Sequence, residues 1–344
     1  MKLVPAENIL IIKWGALGDL IMATSAIKAV RDNYPNAKIT MLSNLIMKEL
    51  LPEGYIIDEY IFLSRGGRHV NESFLNQLWM LRELRKRKFD LAINLKWKSE
   101  RASVLTFLSG AKERIGYHQK YFSFCYTHQI VHPEGRYQEV DRNLDIVKSF
   151  GIKVNDATPI IFISDEDKKF ADDFFLSGSL QKENTICIHP GASKASRAWL
   201  PERYVELSKK MISEFGVKIL VTWGINELNL ANGIVESIGS NAILSSKTKS
   251  IAELGAMIAH CKLFISVCTG PMNVANAVGT PIIALLGSTD PLDWSPVGEI
   301  HRTIKSPLVL EHYTDEDERK ALDDISVQNV LNVAEEKWNE FRKL

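Results

Sequence analysis

Ile9-Leu10-Ile11-Ile12-Lys13-Trp14-Gly15-Ala16-Leu17-Gly18-Asp19 is the stretch that decides the fold. A short unbroken apolar run that ends in a glycine-rich turn reads as a strand buried on both faces, as in a parallel sheet. Beyond the turn the spacing changes to that of an amphipathic helix over 20–33. The same grammar returns in the second half, where Leu263-Phe264-Ile265-Ser266-Val267 runs into Cys268-Thr269-Gly270-Pro271-Met272-Asn273. Helix N-termini expose unpaired backbone N–H groups at the positive end of the helix dipole, so both junctions are natural sites for phosphate or carboxylate. One such junction per half predicts two nucleotide-fold domains facing each other across a cleft. That arrangement suits group transfer between two substrates.

The bulk numbers narrow the class. A chain of 344 residues can bury two sizeable cores. Its 45% hydrophobic and 24% charged content is that of an ordinary globular protein. Lys+Arg and Asp+Glu both number 42, so no global field draws nucleic acid or a membrane, and any basic function is local. Cys125, Cys187, Cys261 and Cys268 are scattered without metal-ligand spacing or a disulfide framework, which fits reduced thiols in a cytoplasmic protein. The run at Ile9 is too short for a secretory signal, and nothing approaches the ~20 apolar residues of a membrane span.

Apolar runs alternating with amphipathic stretches predict an α/β fold with parallel strands. In the first half strands are expected at 9–13, 38–42, 59–63, 91–94 and 129–131, with the clearest helices at 20–33 and 74–87. The basic run at 82–88 reads as a solvated helix end. A polar stretch over 164–184, helical around 168–175, intervenes, and the domain junction is expected near 160–183. Strands restart at 185–188 and follow at 218–222, 242–244, 263–267 and 282–286. The expected domains are 1–165 and 180–325, with a helix in 326–344 packing back across the first.

Several loops carry chemistry. Gly15 and Gly18 let the backbone turn tightly and approach a ligand. Asp19, at the start of the next helix, reads equally as a capping aspartate or as a reactive carboxylate. A dinucleotide site would need G-x-G-x-x-G and an acid ~20 positions on, but the order is G-x-x-G-D and Asn44 ends the second strand. A nicotinamide-dependent oxidoreductase therefore has little support. His189-Pro190-Gly191-Ala192-Ser193-Lys194-Ala195-Ser196-Arg197-Ala198-Trp199 gathers hydroxyls, N–H groups and the cations Lys194 and Arg197 in one loop, a set that can neutralise a diphosphate. Glu227, just past the strand at 218–222, can accept both hydroxyls of a ribose or serve as a helix N-terminal charge. Thr269 and Gly270 open a helix toward a ligand.

Together these pieces resemble glycosyltransferase family 9, the ADP-heptose:lipopolysaccharide heptosyltransferases, over nearly the whole chain. The matching stretches are 9–19 with Thr24 and Tyr34-Pro35, Arg114-Ile115-Gly116-Tyr117, 189–199 with Pro201, Trp223-Gly224 with Glu227, Thr269-Gly270-Pro271, Gly279-Thr280-Pro281, and 287–291 with Trp294 and Pro296. The resemblance implies the GT-B architecture: an acceptor domain followed by a nucleotide-sugar domain, each Rossmann-like. It implies inverting transfer without metal or cofactor, ADP-heptose as donor, and Asp19 as the general base. Arg197, where the family carries lysine, would stabilise the leaving diphosphate together with Gly18, Ser193, Lys194, Thr269, Gly270 and Asn273. Glu227 would hold the ribose. The acceptor would be an anionic glycan or glycolipid, met by Arg65, Arg68 and Lys98, with peripheral contact at the cytoplasmic face of the inner membrane.

One departure stands out. The family reads Asp-[Ser/Thr]-Gly-Pro-x-His where this chain has Cys268-Thr269-Gly270-Pro271-Met272-Asn273. Asn273 can donate to a phosphate but carries no charge, and Cys268 replaces a carboxylate only as a thiolate. A catalytically reduced nucleotide- or glycan-binding homologue, or a member using another nucleotide sugar, therefore stays open beside the transferase.

Overall fold

The structure is a computed structural model that describes residues 4–63, 74–135, 137–309 and 314–343. The chain divides into two compact units, Met1–Phe162 and Ile163–Leu344. In the first unit the order is β1 (Asn8–Ile12), α1 (Leu17–Ile21), α2 (Thr24–Asn33), β2 (Lys38–Ser43), α3 (Leu45–Leu50), β3 (Glu59–Phe62), α4 (Phe74–Lys86), β4 (Leu91–Asn94), α5 (Glu100–Leu108), β5 (Glu113–Tyr117), β6 (His128–Ile130) and α6 (Glu139–Ser149). All pairings are parallel and the sheet order is β3-β2-β1-β4-β5-β6. Ile9, Leu10, Ile11 and Ile12 of β1 are wholly buried, as their unbroken apolar run predicts. The helix expected over 20–33 is two helices, α1 and α2, broken at Met22 and Ala23.

The second unit opens with α7 (Asp165–Ser177), then β7 (Thr185–His189), α8 (Pro201–Phe215), β8 (Lys218–Val221), α9 (Leu228–Ile238), β9 (Ala242–Leu244), α10 (Ile251–Ala259) and β10 (Leu263–Val267). It continues through α11 (Gly270–Ala277), β11 (Ile282–Leu286), α12 (Pro291–Trp294), β12 (Arg302–Lys305), α13 (Asp315–Asp323) and α14 (Val327–Arg342). Its parallel sheet runs β12-β11-β10-β7-β8-β9. Read from the other edge, that is the strand order of the first sheet. Both are Rossmann-like, and two such units in one chain make the GT-B architecture. In each sheet strand order reverses beside the first strand of the unit, so the loops after β1, β7 and β10 lie where open α/β sheets bind ligands.

The division after Phe162 falls within the expected junction of 160–183, and the polar stretch that follows forms the start of the second unit. Ser164 and Asp167 form a reciprocal cap, Ser164 Oγ accepting the Asp167 N–H at 3.1 Å and Asp167 Oδ2 the Ser164 N–H at 2.9 Å. The helix α14 also differs from expectation. It packs within the second unit, where Val330, Leu331, Ala334 and Trp338 join the core formed by β7, β8, β10 and α8. Trp338 stacks on Phe215 of α8 at 5.5 Å, because the apolar stripe of α14 finds its complement there.

Candidate active site

In the first unit the loop after β1 is fixed from below. Lys13 is 1% exposed, and its Nζ donates to Glu139 Oε1 at 2.6 Å, Asn143 Oδ1 at 3.1 Å and the Leu95 carbonyl at 3.2 Å. Arg142 reaches the other Glu139 oxygen at 3.2 Å. Burial alone would raise the Glu139 carboxyl, but the Lys13 and Arg142 charges outweigh it and hold it below its ordinary value. A buried ion pair thus ties the strand end to α6. Above it, Asp19 folds back so that Oδ2 accepts the Ala16 N–H at 3.2 Å. That approach requires glycine at position 15, where a Cβ would lie 2.8 Å from Asp19 Oδ2. Asp19 Oδ1 has no partner among the described residues. One oxygen thus makes the capping bond that the sequence offered, and the other is left unengaged. Gly18 lies inside α1, beside it.

Of the expected acceptor cations, Lys98 follows β4 on the surface, its Nζ 4.3 Å from the centre of the Trp97 ring, a cation–π contact. Arg65 and Arg68 lie outside the described residues.

The second unit assembles the other set. Glu227, which precedes α9, turns back so that Oε2 accepts the Gly224 N–H at 2.7 Å. Its carboxylate then lies against Gly191, where a Cβ would stand 2.1 Å from the Glu227 carboxyl carbon. His189, at the end of β7, has Nε2 3.5 Å from Glu227 Oε2 and Nδ1 3.2 Å from Thr222 Oγ1. Burial pushes the His189 imidazole down to about 4, so it is neutral at pH 7. The ends of β7 and β8 therefore present Glu227 Oε1, which has no partner among the described residues, above a glycine floor.

Arg197 and Lys194 are both met by α13. Arg197 Nε and Nη2 donate to Glu318 Oε1 at 2.7 and 2.5 Å, and Lys194 Nζ is 3.5 Å from Asp315 Oδ1. Ser193 is exposed in the same loop. Burial pushes the Cys268 thiol up to about 11, against the lowering effects of its hydrogen bond with Thr289 and of the Arg197 charge. It is a neutral thiol at pH 7 and does not replace a carboxylate. The N-cap of α11 is Thr269, whose side chain caps no N–H of the helix. Its hydroxyl turns to the Val267 carbonyl at 3.4 Å, so the Gly270 and Met272 N–H groups have no partner among the described residues. Asn273 does not extend that donor set. It is 2% exposed, its Nδ2 donates to the Thr269 carbonyl at 3.1 Å, and its Oδ1 is buried without a partner.

Two contributors escape a reading of the sequence. Lys13 stands in the quoted opening stretch, but nothing local shows that it is buried and paired. Glu318 sits among the first-turn acids of α13, and nothing in that stretch of sequence points to Arg197. Among the described residues no three His, Cys, Asp or Glu side chains stand together as a metal site. No described helix is long and apolar enough to cross a membrane.

With this geometry in place, comparison with known proteins is informative. Lipopolysaccharide heptosyltransferase 3 of Escherichia coli K12 is 28% identical over 294 residues, covering 81% of this chain and 82% of its own length. The crystal structure of a glycosyl transferase family 9 protein from Veillonella parvula superposes with a TM-score of 0.81 at 23% identity, covering 97% of both chains. The E. coli heptosyltransferase WaaC solved with ADP-2-deoxy-2-fluoro heptose superposes with a TM-score of 0.73 at 17% identity, covering 96% of this chain and 99% of its own. The sequence profile of glycosyltransferase family 9 (heptosyltransferase) spans residues 78–324. Strand order, switch-point loops and family profile agree: the chain is a glycosyltransferase that belongs to glycosyltransferase family 9, the heptosyltransferases.

Proposed function

We propose that this enzyme transfers a heptose from ADP-heptose to an anionic glycan of the lipopolysaccharide core, by inverting displacement without metal or cofactor. The observation that carries the reading is the grouping of Glu227 over Gly191, Arg197 beside Cys268, and the uncapped start of α11, all at the strand ends of one Rossmann-like sheet. Glu227 Oε1 takes the ribose hydroxyls. Arg197 and the Gly270 and Met272 N–H groups neutralise the diphosphate, with Ser193 and Lys194 at the rim, while Asn273 supports Thr269 from beneath. Relatives named for lipopolysaccharide heptosyl transfer, and a fold neighbour holding an ADP-heptose analogue, support this donor and acceptor.

In the reaction the acceptor hydroxyl oxygen attacks the anomeric carbon on the face opposite the diphosphate. Its proton passes to Asp19, the glycosidic C–O bond to phosphate breaks, and ADP leaves with the electron pair. Preorganised donors at the diphosphate are worth ~3–4 kcal/mol each to such a transition state. Arg65, Arg68 and Lys98 receive the acceptor's negative groups, and the enzyme works at the cytoplasmic face of the inner membrane.

Asp19→Asn separates the two roles of that side chain. The amide oxygen still accepts the Ala16 N–H but cannot take a proton. Turnover should fall by at least ~100-fold, with ADP affinity and melting temperature near wild type; undiminished turnover would remove Asp19 as the base. The donor is tested by thermal unfolding with ADP, UDP and GDP. A ligand at about 100 times its Kd stabilises by ~2.7 kcal/mol, so ADP alone should raise Tm clearly. A preference for UDP or GDP would move the sugar class instead.

The neutral thiol of Cys268 favours a second reading, a nucleotide-binding homologue of reduced activity. A large gain in turnover for the pair Cys268→Asp with Asn273→His would support it.

A further inference from the structure

Arg197 is held in an unusual way for a residue that is to meet a diphosphate. Its side chain is 48% exposed, while the carboxylate that grips it, Glu318, is 1% exposed. Both Glu318 oxygens are engaged: Oε1 accepts Arg197 Nε and Nη2, and Oε2 accepts the Ser196 hydroxyl at 2.8 Å. The Arg197 hydrogen bond, against the opposing effect of burial, holds the Glu318 carboxyl below its ordinary range, so it is ionised at pH 7.

The grip selects an edge of the guanidinium. With Nε and one Nη2 hydrogen turned toward Glu318, Nη1 has no partner among the described residues and carries two of the three remaining N–H donors, the third being the other Nη2 hydrogen. Arginine's fork is rigid and planar, so fixing one edge fixes the direction of the other. An arginine half in solvent would otherwise distribute over many rotamers.

Other bonds already hold α13 at both ends: Ser196 Oγ and Lys194 Nζ reach Asp315 Oδ1 at its start, and Trp199 and, from α8, Arg203 hold its last residue and the turn beyond it. Trp199 Nε1 donates to the Ile325 carbonyl at 3.0 Å, and Arg203 Nη1 donates to the Asp323 and Ile325 carbonyls at 2.6 and 2.8 Å. A buried carboxylate is a poor means of adding stability, since its desolvation offsets much of the attraction it gains. Its effect is directional.

We propose that Glu318 is a positioning residue that aims the Nη1 edge of Arg197 at the donor's diphosphate, with Ser196 fixing the Glu318 carboxylate in turn. This rests on the reading of the 191–197 loop as the diphosphate site. Glu318 itself touches no substrate.

The test is calorimetric titration of the full chain with ADP and with adenosine, which lacks the phosphates. Four proteins are compared: wild type, Arg197→Ala, Glu318→Gln and the double variant. Glu318→Gln should weaken ADP about ten-fold, as expected for hydrogen bonds to a charged group, and leave adenosine unchanged. In the Arg197→Ala background the same change should have no further effect, because Glu318 acts through Arg197. Glu318→Asp, which restores the charge one methylene short, should recover part of the loss. Ser196→Ala should give a smaller loss in the same direction, and it serves if Glu318→Gln folds poorly.

Equal weakening of ADP and adenosine, or a loss that persists without Arg197, would overturn the proposal in favour of a general structural role. An unchanged ADP affinity in Glu318→Gln would overturn it too. Tighter ADP binding would mean that Glu318 competes with the diphosphate for Arg197 instead of aiming it. If Arg197→Ala leaves the ADP-to-adenosine ratio unchanged, the donor-site reading itself fails, a result distinct from all the others.

Discussion

His189 shows how far a single residue's role follows from its surroundings. At the end of β7 it is buried against Thr222 and Glu227, and burial holds its imidazole at about 4. The native state therefore resists protonation, while the unfolded chain takes a proton near the ordinary value of ~6.5. Stability is fully present above pH ~6.5 and is lost as pH falls toward about 4, by at most ~3 kcal/mol. Between pH 7 and pH 4.5, His189→Asn should lose less melting temperature than wild type; equal losses would show that His189 contributes nothing to acid sensitivity. Gly191 makes a sharper case. A methyl there would enter the Glu227 carboxyl group, so Gly191→Ala should displace Glu227 and weaken ADP about ten-fold while the sheet stays folded. Unchanged affinity in that variant would place the ribose elsewhere. Asp19, Glu227 and Thr269 stood out in the sequence because each lies in the loop or first helical turn that follows an apolar strand. Lys13 and Glu318 were not, since their partners lie 126 and 121 residues away in sequence and only folding brings them together.

The helices show the same boundary between local and distant information. The apolar stripe of α14 is plain in the sequence, but a stripe does not say which surface receives it. The structure places it on α8 and the second sheet, with Trp338 stacked on Phe215. Trp338→Ala should therefore destabilise the second unit by about 3–5 kcal/mol, the usual range for a buried aromatic truncated to alanine. Urea unfolding measures it, and a loss below ~1 kcal/mol would make α14 peripheral. The helix α7 was legible over 168–175, and only its start was not. Its acidic first turn reads as a polar linker, yet the Ser164–Asp167 cap and the helix dipole make those same acids favourable at an N-terminus. The acids opening α13 are arranged alike behind Thr314, so nothing local sets the one that grips Arg197 apart from its neighbours.

At the scale of the whole chain, the repeated architecture was readable because fully buried parallel strands are continuous apolar runs. The edge strand β12 was missed because Arg302-Thr303-Ile304-Lys305 is only half-buried and carries a single apolar residue among three polar ones, with neither an apolar run nor an alternation to mark it. Two sheets with the same strand order have nevertheless diverged in chemistry. The first holds its switch-point loop by a buried Lys13–Glu139 pair and offers a carboxylate. The second offers N–H groups and a cation held by an acid. That division predicts where a nucleotide acts. Hydrogen exchange on the full chain with ADP at about 100 times its Kd should show added protection, up to ~2.7 kcal/mol, in β7, β8, β10 and α11. The amides of β1, β2 and β4 should exchange as they do without ligand, because ADP lacks the glycan that the first unit is proposed to bind. Protection appearing first in β1 and α1 would reverse the assignment of donor and acceptor to the two units. Protection confined to the second would leave Asp19 as the carboxylate that awaits the acceptor.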